Sequence, residues 1–122
     1  MKFLQTLLTS FFLAMLMLSA NATAAEKTIP APEAIAKATA ATEEALKALQ
    51  SGASAEDVNK LIKDAAEATS EVYANYKMDK KRDTAIIHLK AIRAKVTEGK
   101  KDEAEEALKN SVKEVSDLKN FL

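Results

Sequence analysis

The segment "HLKAIRAKVTEGKKDEAEEAL", His88 to Leu108, decides how this chain is read. Ala85, Leu89, Ile92 and Val96 recur at steps of three and four, the period of one helical face. Gly99 interrupts the run, as glycine does where a helix closes in a left-handed cap. Asp102 follows as the expected N-cap of a further helix, with Glu105 three residues on. Ala104, Ala107, Leu108, Ser111, Val112, Val115, Leu118 and Leu122 carry that helix onward. The segment is therefore the turn of a helical hairpin.

Working outward, the same arrangement occurs in the first half of the chain. Pro30 and Pro32 forbid helix before them, and Pro32 suits a first helical turn. Ala34, Ile35, Ala38, Ala41, Ala45, Leu46 and Leu49 mark one face, and Gly52 ends it. Ser54 is the expected N-cap of a second helix, with Asp57 as its carboxylate partner. Its stripe runs Val58, Leu61, Ile62, Ala65, Ala68, Val72 and Tyr76, and the polar run after it places the central turn near Lys77 to Lys81. The two glycines thus hold matching places in two helical hairpins. Each hairpin exposes an apolar stripe that the other can cover. The expected fold is all-α, an antiparallel up-and-down four-helix bundle; two hairpins that pair between chains are the alternative. With so much alanine in the first two helices, the axes should approach to about 8 Å, leaving little room for a bulky cofactor.

The first residues read as a secretion signal, not as part of the bundle. Met1-Lys2 gives a positive start, Phe11 to Leu18 is unbroken apolar sequence, and Ala22 and Ala24 occupy the small positions a signal peptidase reads. The expected division is residues 1–24 as signal and 25–122 as the bundle, in a bacterial periplasm or beyond. The apolar run is short for a membrane span, and Gln5, Thr6, Thr9 and Ser10 interrupt what precedes it. An exported chain could use disulfides, yet this one has no cysteine. That removes thiol nucleophiles, thiolate zinc sites, iron–sulfur clusters and covalently attached haem. The 18 basic and 18 acidic residues balance, which argues against nucleic acid, and against membrane contact once the signal is gone.

Chemistry-bearing residues are few. His88 is the single histidine, near the border of the Ala85–Val96 stripe. It is either a ligand or base, or a boundary imidazole with one edge wet; positions at helical spacing offer it no partner, and tight metal sites use three or four ligands. The acids from Asp102 to Glu106 suit the positive end of a helix dipole and lack calcium-loop spacing. Met78 is a soft donor of the kind copper takes, placed beside a loop, and Tyr73 and Tyr76 should cover the end of the core. Ile87, Ala91 and Ala94 form a second apolar line, opposite the main stripe of their helix. That line is either harmless exposure or a contact strip for a partner protein or a second protomer. No nucleophile motif, phosphate loop or zinc-protease pair occurs, so no enzymatic activity is expected.

"AIIHLKAIRAKVTEGKKDEAEEALKNSVKEVSDL" (Ala85–Leu118) and "EAIAKATAATEEALKALQSG" (Glu33–Gly52) resemble the two hairpins of the small metal-binding proteins of bacterial periplasms. The resemblance implies a short secreted bundle that binds divalent metals, copper especially. His88 is the residue on a matching histidine position. "EGKKDEAEEALK" (Glu98–Lys109) is also similar to periplasmic b-type cytochrome bundles, which implies a haem electron carrier; Lys119 stands roughly where their histidine falls. The function expected is a non-enzymatic binding or accessory protein, with His88 as a weak metal ligand or the Ile87–Ala91–Ala94 strip as an interaction site.

Overall fold

The computed structural model describes residues 29–122; the expected signal at residues 1–24 and its cleavage site lie outside them. Among the described residues there are four α-helices and no strand: α1 (Ala31–Gln50), α2 (Ala55–Ser70), α3 (Tyr76–Thr97) and α4 (Lys101–Ser116). A 3-10 turn, Asp117–Phe121, extends α4.

Gly52 and Gly99 close α1 and α3 in the same way. Both have left-handed backbone, φ 84° and 76°. Gly52 N–H donates to the Leu49 carbonyl and Ala53 N–H to that of Ala48, at 3.2 and 3.0 Å. Gly99 donates to Val96 and Lys100 to Lys95, at 3.1 and 3.0 Å. Each pair of bonds is a Schellman closure, which satisfies carbonyls that a helix end otherwise leaves open. Ser54 caps α2 as expected, its hydroxyl accepting from Asp57 N–H at 3.2 Å.

Three expectations about the helix ends need correction. The central turn is Glu71–Asn75, so Lys77 to Lys81 lie inside α3 and Tyr76 begins α3 instead of ending α2. Asn75 sets that boundary: its backbone is extended, and its side-chain oxygen accepts from Met78 N–H at 3.0 Å. The polar run that looked like a break is the solvated face of a helix. Asp102 does not cap α4, whose cap position is Lys100 with no side-chain bond. The short connection from Gly99 uses Lys100 to finish α3, which leaves no residue free to cap the next helix. Asp102 and Glu103 act from within the first turn, where negative charge favours the helix dipole. Leu122, expected on the α4 stripe, is exposed.

Each helix packs on two neighbours, α1 and α3 both against α2 and α4, so the four enclose one core. At the glycine end Leu49, Val58, Ile62, Leu89, Ile92, Val96 and Leu108 interdigitate. At the other end Ile35, Val72, Met78 and Leu118 meet, with Ile29 and Phe121 at the margin. Between them lies a thin layer of Ala38, Ala68, Ala85 and Val115. The buried hydroxyls of Thr42 and Thr69 donate to the carbonyls of Ala38 and Ala65, at 2.8 and 2.7 Å. Satisfied in this way, they cost the core little.

Candidate functional site: the α3–α4 groove

The seam between α3 and α4 is floored by small side chains, Ala91 from α3 and Ala107 and Ser111 from α4. Small residues leave the facing surfaces unfilled, and a groove of about 340 Å³ runs along the seam. His88 and Glu114 bound one end of it, and Lys95 lines it further along.

His88 does have a partner, although not on its own helix. Its Nδ1 lies 2.9 Å from both carboxylate oxygens of Glu114, 26 residues downstream on α4. A carboxylate can only accept, so Nδ1 carries the proton and Nε2 is the ring nitrogen left over for other chemistry. The imidazole is 54% exposed and the carboxylate 31%. Lys95 reaches across the same seam to Glu103 at 3.3 Å. The α3 side of the seam thus presents base-type groups and the α4 side acids.

The Ile87–Ala91–Ala94 strip adjoins this groove. All three residues are exposed, Ile87 at 64%, and Ala91 belongs both to the strip and to the groove floor. Ala91 is thus the strip residue that lines the groove with His88, while Ile87 and Ala94 stand outside its lining. Glu114, Lys95 and Asn110 were missed. Counting outward from Gly99, His88 lies eleven residues before it and Asn110 eleven after, one helical turn short of Glu114, and that was the available signal.

Other candidates lie elsewhere. Met78 lies in the first turn of α3, next to the central turn, but is fully buried in the second core cluster and cannot offer its sulfur to an incoming ion without unpacking. Tyr73 and Tyr76 are 66% and 75% exposed and do not cover the core end; Val72, Met78 and Leu118 do. Arg82 stacks on Tyr73 at 4.9 Å while its guanidinium donates to the Val72 carbonyl at 2.9 Å, which ties the central turn to α3. Lys119 is exposed on the terminal 3-10 turn. Among the described residues no three His, Cys, Asp or Glu side chains gather in a metal-binding group. With Glu114 on Nδ1, His88 offers one donor, Nε2, short of the three or four of a tight site.

Among the described residues one lysine is displaced in pKa, at the turn between α3 and α4. Lys100 is held above its ordinary value by its hydrogen bond with Glu98, then by the charges of Glu98 and Glu103. Comparison with known protein families, with curated proteins and with solved structures finds no match to this chain.

Proposed function

We propose that this protein is a non-enzymatic, exported binding module, an antiparallel up-and-down four-helix bundle of the periplasm that takes a helix of another protein along the α3–α4 groove. One observation carries the proposal: Ala91 joins an exposed apolar strip to a groove floored by small residues. Small side chains let a second helix approach closely, and an isoleucine exposed beside them supplies an anchor. The short connections of the chain, and core clusters that unite opposite helix ends, support the antiparallel order. The apolar run Phe11–Leu18 with Ala22 and Ala24 after it supports export.

Retention of partners from a periplasmic extract, with sedimentation velocity of the purified protein, tests this. The wild type should retain a partner or self-associate, and Ile87→Glu should lose both. A strict monomer that retains nothing overturns the proposal.

A second reading is favoured by the His88–Glu114 pairing: a weak site for a divalent metal such as copper, with His88 Nε2 as its protein donor and Glu114 orienting the ring through Nδ1. Calorimetric titration with copper should show weak binding that His88→Ala abolishes and Glu114→Gln weakens. An isotherm unchanged by His88→Ala ends this reading.

A further inference from the structure

We draw no further inference here: the strongest candidate, the exposed surface patch of Tyr73, Tyr76 and Leu122 where the central turn meets the C-terminal 3-10 turn, carries nothing because nothing in the structure shows what covers it.

Discussion

Asn75 donates its side-chain amide to the main-chain carbonyl of Phe121, 46 residues away, while its oxygen accepts from Met78 N–H at 3.0 Å. One side chain thus starts α3 and holds the C-terminal turn. Asn75→Ala loses both bonds and should lower stability by about 1–2 kcal/mol. Asn75→Asp keeps the accepting oxygen and should cost less than half as much, because water can replace the exposed bond to Phe121. Urea denaturation of the two variants measures the difference, and equal losses would show that the cap contributes nothing.

The glycines give a second comparison. A Cβ built on Gly52 or Gly99 meets nothing within 4 Å. Alanine at either site therefore costs backbone strain alone, about 1 kcal/mol each. Thermal unfolding of the two variants should show nearly equal losses, additive in the double variant.

The packed ends of the core should be sensitive to lost volume and the thin middle layer to added volume. Leu89→Ala empties a fully buried site and should cost about 2–5 kcal/mol. Ala38→Leu forces a large side chain between helices separated by alanines and should cost about 1–3 kcal/mol. Tolerance of Ala38→Leu without loss would contradict the close approach of the helices there.

His88 and Glu114 should matter little to folding despite their short separation. Half-exposed polar pairs are screened by solvent, and a double-mutant cycle with alanine should give a coupling below about 1 kcal/mol. A much larger coupling would mark the pair as structural and weaken its candidacy as a site.

Lys100 offers a check by titration. Its raised value is caused first by the bond with Glu98, so Glu98→Gln should bring it down toward the ordinary lysine value by NMR. A raised value means that the charged form is favoured by the fold. The small stabilisation is therefore full below the unfolded lysine pKa and disappears as pH rises through the folded one.

The helices themselves were legible in the sequence because each carries its own period and punctuation. Gly52, Ser54 and Gly99 act through bonds to residues within a few positions, and local spacing captured them. Asn75 was missed because a lysine-rich face around Lys77 to Arg82 hid the onset of α3, and because half of its role depends on Phe121. Asp102 was misassigned since its type and spacing suit a cap, whereas the length of the preceding turn decides what can stand there. The groove shows the same limit. His88 looked solitary along its helix, and its partner Glu114 comes from the neighbouring arm of the hairpin, beyond any i to i+4 search.

Gly52 and Gly99 lie in the short connections after α1 and α3, while the joint between the two helix pairs, at Glu71–Asn75, is secured by Arg82 and by Phe121. Closing the two glycine loops brings together residues near in sequence and forfeits little chain entropy, whereas seating Phe121 on Asn75 closes a span of 46 residues, more than a third of the chain. The order of assembly is built into that asymmetry: each helix pair can zip independently, and the turn end is the last to lock and the first to fray.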